Sequence, residues 1–146
     1  MSQFRKISDT FLASPQITPD DIEQAKAEGV TLVINNRPDD EAPDQPAGAS
    51  IRKAALDAGM DYKAIPVSSA GFSLPQVDAM AEAVSSAQGK VLAFCRSGTR
   101  STLLWALAQA KGGADPETLA QQAAKGGYNV APVRPTLDML AGKSSD

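Results

Sequence analysis

Residues 90–111, KVLAFCRSGTRSTLLWALAQAK, constrain the fold more than any other stretch. Residues 90–94 are a short apolar run of strand type, and residues 101–111 are a run of helix formers. Cys95, Arg96, Ser97, Gly98, Thr99 and Arg100 stand between them. The chain's single cysteine is therefore placed where a strand hands over to a helix. Amides of such a turn, with the positive end of the following helix, form a ready anion site. The same environment favours a thiolate over a thiol, which turns cysteine into a nucleophile. Gly98 can take positive φ and let several amides converge. Arg100 offers a planar fork suited to phosphate, sulfate or carboxylate. A buried cysteine closing a core strand, with Arg100 in a surface ion pair, is the plainer alternative. The glycine and two arginines around Cys95 favour the functional reading.

The 146 residues contain no histidine. Cysteine–histidine and serine–histidine–aspartate catalysis are thereby excluded, as are histidine-ligated metal sites. One cysteine cannot hold a structural zinc, so no metal and no cofactor is expected. If Cys95 is activated, backbone amides, the helix end and arginine must do it. A free thiol suits a reducing cytoplasm, and the first ten residues carry no apolar signal-peptide core, so a cytoplasmic location is expected. No run approaches the roughly 20 apolar residues of a membrane span. Net charge is −3 with no basic run, so neither membrane nor nucleic acid is an expected partner; a small anionic substrate is.

Residues 4–7 and 10–13 pattern as a weak hairpin around Ser8-Asp9. Thr18-Pro19-Asp20-Asp21 predicts a helix start, with Thr18 as cap, running to Glu28 and stopping at Gly29. Residues 31–35 predict a buried strand that opens into a polar loop through Arg37, Asp39, Asp40 and Glu41. Ile51, Ala54, Ala55 and Ala58 recur at helical spacing, with Gly59 as stop. Residues 62–67 predict a strand that Pro66 takes out of the sheet. A small-residue loop follows, then a Ser73/Gln76 capping box ahead of Val77, Met80, Ala81 and Val84. Leu103, Leu104, Trp105 and Leu107 pack the helix after Cys95 onto the sheet, and Met80 and Met139 are expected core fillers. Phe72 is either a pocket floor or a hydrophobic staple. Further helices are predicted at 115–125 and 132–140, with 142–146 a frayed tail. Alternating strands and helices argue for one α/β domain, core about 3–140, with a mainly parallel central sheet flanked by helices. Ligands then lie beyond the carboxyl ends of the strands, so the loops at 36–41, 68–72 and 95–100 are expected to share one rim.

The loop CRSGTRS resembles the active loops of cysteine-dependent phosphatases and of rhodanese sulfurtransferases. SPQITPDDI at 14–22, VINNRPDDE at 33–41 and AFCRSGTRSTLLWALAQA at 93–110 resemble the bacterial beta-lactamase-hydrolase-like phosphatase-like domain, over residues 3–140. The resemblance implies a three-layer cysteine-phosphatase-like fold with Cys95, Arg100 and Ser101 catalytic, and Arg96, Ser97, Gly98 and Thr99 as an anion-binding P-loop. Two departures stand out. Four residues separate Cys95 from Arg100, one fewer than the phosphatase C-x5-R signature and equal to rhodanese-type loops. The place of the usual general-acid aspartate, residues 66–70, reads PVSSA and has none, which leaves Asp39, Asp40 or Glu41 as substitutes beside Arg37 on the substrate loop.

Three mechanisms remain open on these residues. In phosphoryl hydrolysis, Cys95 attacks phosphorus, the loop amides and Arg100 hold the oxygens, and Ser101 serves the departing sulfur or caps the helix. In sulfur transfer, the same cradle holds a persulfide on Cys95. In a binding module, the anion pocket persists without turnover.

Overall fold

The computed structural model describes residues 3–68 and 70–142. Five strands form one sheet: β1 (Arg5–Lys6), β2 (Phe11–Ser14), β3 (Val30–Asn35), β4 (Asp61–Ala64) and β5 (Lys90–Phe94), in the order β1-β2-β5-β3-β4. β1 pairs antiparallel with β2 in the hairpin that the pattern anticipates; β2, β5, β3 and β4 are parallel. Among the described residues there are six α-helices, α1 (Asp21–Ala27), α2 (Gly48–Asp57), α3 (Leu74–Ser86), α4 (Thr99–Lys111), α5 (Pro116–Lys125) and α6 (Arg134–Leu140), with a 3-10 turn at Ala131–Val133.

Strand alternation sorts the core into two halves. Phe11, Ala13, Leu32, Ile34, Val91 and Ala93 face one way, with residues of α3, α4, α5 and α6. Leu12, Val33, Leu92 and Phe94 face the other, with Ile22 and Ala25 of α1 and Ile51 and Ala55 of α2. The three-layer α/β architecture is as the sequence implies. α4 is the most enclosed helix, with nine buried residues from Ser101 to Ala110, and Trp105 stacks on Phe11 with ring centroids 5.4 Å apart. β5, the strand that ends at Cys95, lies in the middle of the sheet.

Local chemistry sets most boundaries. The Ser73/Gln76 capping box forms at the head of α3, and Asp115 accepts from the Thr118 amide at the head of α5. Several expectations need correction. Thr18 does not cap α1; the Asp21 carboxylate instead accepts from the Thr18 amide and hydroxyl, because a carboxylate is the stronger acceptor. β4 ends at Ala64, two residues ahead of Pro66, because Ile65 and Val67 bond to the backbone of Asn35 and Asn36 as an irregular extension. Met80 is fully buried, but Met139 is 59% exposed, since Leu137 takes the inward face of α6. Phe72 is half-buried against the core of the α3 and α4 side. The tail at 143–146 lies outside the described residues, as does Ser69.

Candidate active site

β5 delivers Cys95 to the carboxyl edge of the sheet with both neighbouring strands still attached to its end. The Cys95 amide donates to the Ser14 carbonyl at 3.3 Å, Gln16 N donates to the Arg96 carbonyl at 3.3 Å, and Asn36 N donates to the Phe94 carbonyl at 2.9 Å. The loop is thus rooted on two sides before it turns. Gly98 makes the turn with φ of 94° and serves as N-cap of α4. A side chain there would be strained and would drive into the Tyr128 hydroxyl, so only glycine fits. Its amide points back at the cysteine: Gly98 N donates to Cys95 Sγ at 3.1 Å. Cys95 itself is wholly buried.

The convergence of amides is narrower than the sequence implies. Ser97 Oγ donates to Thr99 Oγ1 at 3.0 Å and accepts from the Thr99 amide at 3.3 Å, so that amide is spent within the loop. Ser101 is neither cap nor, in this state, a partner of the sulfur. Gly98 holds the capping position, and the Ser101 hydroxyl is buried without a hydrogen bond.

Arg100 comes from the first turn of α4 and Glu41 from the loop after β3, and the two form a fork-on-fork pair. Arg100 Nη1 and Nη2 donate to the two Glu41 oxygens at 2.8 Å each, and Nη1 also donates to the Val67 carbonyl. Of the guanidinium's five N–H groups these bonds occupy three, leaving the side-on pair of Nε and Nη2. Cys95 lies near enough to help hold Arg100 charged, after the larger effect of Glu41. Glu41 is gripped from behind by Arg37 Nε at 3.0 Å, and Arg37 Nη1 is held by Gln16 Oε1 at 3.0 Å. The loops at 36–41 and 95–100 therefore meet at one rim, and the third approach to it is the Val67 carbonyl, one residue ahead of the expected 68–72 loop, none of whose described residues lines the cavity there.

Two arginines on one carboxylate pull its pKa from 4.5 to about 2, with the Arg100 hydrogen bond the largest cause. A carboxyl of that acidity carries no proton near neutral pH, so Glu41 orients Arg100 and is unsuited to acid catalysis. Asp39 accepts from the Gly48 amide at 2.8 Å, at the start of α2. Asp40 is exposed and has φ of 65°, the one positive value among the described non-glycine residues. Neither lines the cavity over Cys95's loop. That open space of about 610 Å³ is bounded by Arg37, Glu41, Arg96, Ser97, Thr99 and Arg100 among others. Three guanidiniums against one carboxylate leave it locally cationic on an acidic chain, which suits an anionic ligand. Sequence reasoning missed Gln16 and Tyr128; the latter donates to the Ser97 carbonyl at 3.0 Å.

The model of the phosphatase-like domain of beta-lactamase hydrolase-like protein matches residues 3–112. The chain belongs to that family. A beta-lactamase hydrolase-like protein of Agrobacterium fabrum is 38% identical over 104 residues, which are 71% of this chain and 24% of that protein. The chain thus spans about a quarter of the length of the curated relatives it matches. A candidate phosphatase of known structure from Neisseria meningitidis is 31% identical, with a TM-score of 0.83 and coverage of 96% of this chain and 99% of that one. PTPMT1 in complex with PI(5)P shares the fold at 15% identity, with a TM-score of 0.73 over 98% of this chain and 99% of that one. Family and fold together mark the chain as phosphatase-like.

Proposed function

We propose that the chain is a cysteine-dependent phosphatase that hydrolyses a phosphate monoester through a thiophosphate on Cys95. The observation that carries this reading is the Gly98 amide on Cys95 Sγ beside an arginine pre-set by Glu41. Cys95 thiolate attacks phosphorus; the S–P bond forms as the ester P–O bond breaks. The loop amides and the side-on pair of Arg100 take up the charge on the equatorial oxygens. Water then attacks phosphorus, the S–P bond breaks, inorganic phosphate leaves, and the thiolate returns. Arg37 and Arg96 attract the anion to the mouth, and the Ser101 hydroxyl, having no other partner, is available to the sulfur as it departs.

With Glu41 held ionised and no acidic side chain at 66–72, the leaving oxygen takes its proton from water. Loss of general-acid help costs about 10²–10⁴ in rate, so turnover should depend steeply on leaving-group acidity. Aryl phosphates with electron-poor rings should far outpace phenyl phosphate. The phosphoinositide bound by PTPMT1 is consistent with an anionic ester, without naming this chain's substrate.

One observation favours a second reading. The four-residue spacing and the Thr99 amide spent on Ser97 leave the loop fewer free donors, which a single persulfide sulfur on Cys95 needs less than three phosphoryl oxygens do. Intact-protein mass after thiosulfate, beside aryl-phosphate turnover, with Cys95→Ser as control, separates the two. Phenol release lost in the variant supports the phosphatase. Gain of one sulfur atom without phenol release replaces it with sulfur transfer. Neither product, with anion affinity that survives Cys95→Ser, leaves a binding module.

A further inference from the structure

The carbonyl of Ser97 and the amide of Gly98 belong to one peptide group. In a trans peptide they point in opposite directions, and no peptide bond among the described residues is cis. Tyr128 Oη grips the carbonyl side at 3.0 Å, while Cys95 Sγ receives the amide side at 3.1 Å. We propose that Tyr128 is a positioning residue for the nucleophile: it locks this peptide with its N–H, and not its C=O, toward the Cys95 sulfur.

Gly98 makes such a lock necessary. Glycine tolerates φ on either side of zero, so rotating the 97–98 peptide about its ends costs little within the loop itself. The rotated form would aim a carbonyl oxygen at the thiolate and at any incoming oxyanion. The Tyr128 bond holds one of the two orientations, and the close approach of its ring to Gly98 leaves no room for slippage. Donation to the carbonyl also polarises the peptide and strengthens its N–H as a donor, the ordinary cooperativity of hydrogen-bond chains.

Tyr128 is itself well placed to stay a donor. It follows Gly126-Gly127 at the end of α5, with φ of 94° at Gly127, and its own amide donates to the Ala123 carbonyl at 2.9 Å. Burial raises the phenol's pKa; Arg5 opposes this and the Cys95 charge adds to it. The charged groups about Cys95 are Arg100 from α4, backed by Glu41 and Arg37, and Arg96 on the loop. Tyr128 lies beyond residue 112, where the family match ends, so this contact is supplied by a part of the chain that the family pattern does not cover.

The inference deepens the phosphatase reading and rests on Cys95 working as a thiolate, but its test needs no turnover. The rate of Cys95 alkylation by iodoacetamide, followed from mildly acid to mildly alkaline pH, reports the thiolate fraction. Tyr128→Phe should move the thiol titration upward and slow alkylation at mildly acid pH by about three- to tenfold, the loss of one hydrogen bond. Site-specific 3-fluorotyrosine at 128, a stronger donor that keeps the fold, should move it the other way below the pH at which that phenol ionises. A titration unmoved by either change overturns the proposal, even if Tyr128→Phe lowers the melting temperature. Should Tyr128→Phe not fold, the fluorotyrosine arm alone decides. A wild-type protein with a shifted titration series but no phosphate turnover would sink the phosphatase and leave Tyr128's role standing. Full turnover with an unmoved series would do the reverse.

Discussion

Replacing Glu41 by glutamine should cost both stability and catalytic order, and the structure sets the size. The carboxylate accepts two bonds at 2.8 Å from Arg100 and one at 3.0 Å from Arg37. Its pKa falls from 4.5 to about 2. That fall corresponds to about 3.4 kcal/mol, and solvent reaching a side chain that is 25% exposed reduces this to about 1–2 kcal/mol. Because the folded value lies below the unfolded one, the stabilisation is complete above the ordinary carboxylate range and is lost as pH falls from about 4.5 through about 2. Urea unfolding of the wild type and Glu41→Gln, repeated at falling pH, reads this directly. The two stabilities should differ by about 1–2 kcal/mol near neutrality and converge in strong acid. A gap below about 0.3 kcal/mol at neutral pH, or one that does not close on acidification, would refute the arginine–carboxylate argument. Turnover of an aryl phosphate by the same variant should fall with Arg100 no longer held against the Val67 carbonyl and Glu41.

Three further substitutions probe separate contacts. Ser101→Ala removes a buried hydroxyl that has no partner, so stability should hold or rise by up to about 1 kcal/mol in a thermal melt while kcat for dephosphorylation falls; a stability loss would mean that the hydroxyl is bonded. Gly98→Ala forces a methyl into Tyr128 at φ of 94°, and should cost at least about 2 kcal/mol and depress alkylation of Cys95; normal stability would contradict the packing. Trp105→Ala empties the stack on Phe11 and should cost about 3–5 kcal/mol by urea unfolding, with a loss under about 1 kcal/mol counting against α4 as the centre of the core.

Which of these contacts can be read from the chain depends on how local their causes are. The Cys95 loop is plain because a strand pattern and a helix pattern bracket it within 22 residues. Its partner loop is reachable through topology: β3 and β5 are parallel neighbours with Asn35 opposite Phe94, and Glu41 and Arg100 each lie six residues further on. What patterning cannot give is the pairing chemistry, so Glu41 reads as a spare acid when it is an arginine's anchor. Tyr128 is hidden for a different reason. Its neighbours Gly126 and Gly127 announce a helix stop, and nothing local says that the chain then returns to the mouth of a loop 30 residues earlier. Met139 misleads because a short terminal helix offers two turns, and either face satisfies the spacing.

The enclosure of α4 also decides where this protein can move. A helix buried from Ser101 to Ala108, whose first residues include Arg100 and whose cap is Gly98, exchanges the amide protons of that stretch only through large openings of the fold. Any closing over an incoming anion must then come from the opposite bank, residues 38–47, a stretch with no helix or strand of its own that carries Glu41. The cysteine's side would be the fixed jaw and the carboxylate's side the travelling one. Hydrogen exchange should therefore be slow over residues 101–108 and fast over residues 38–47, and an anion that engages Arg100 should slow exchange on the travelling side alone.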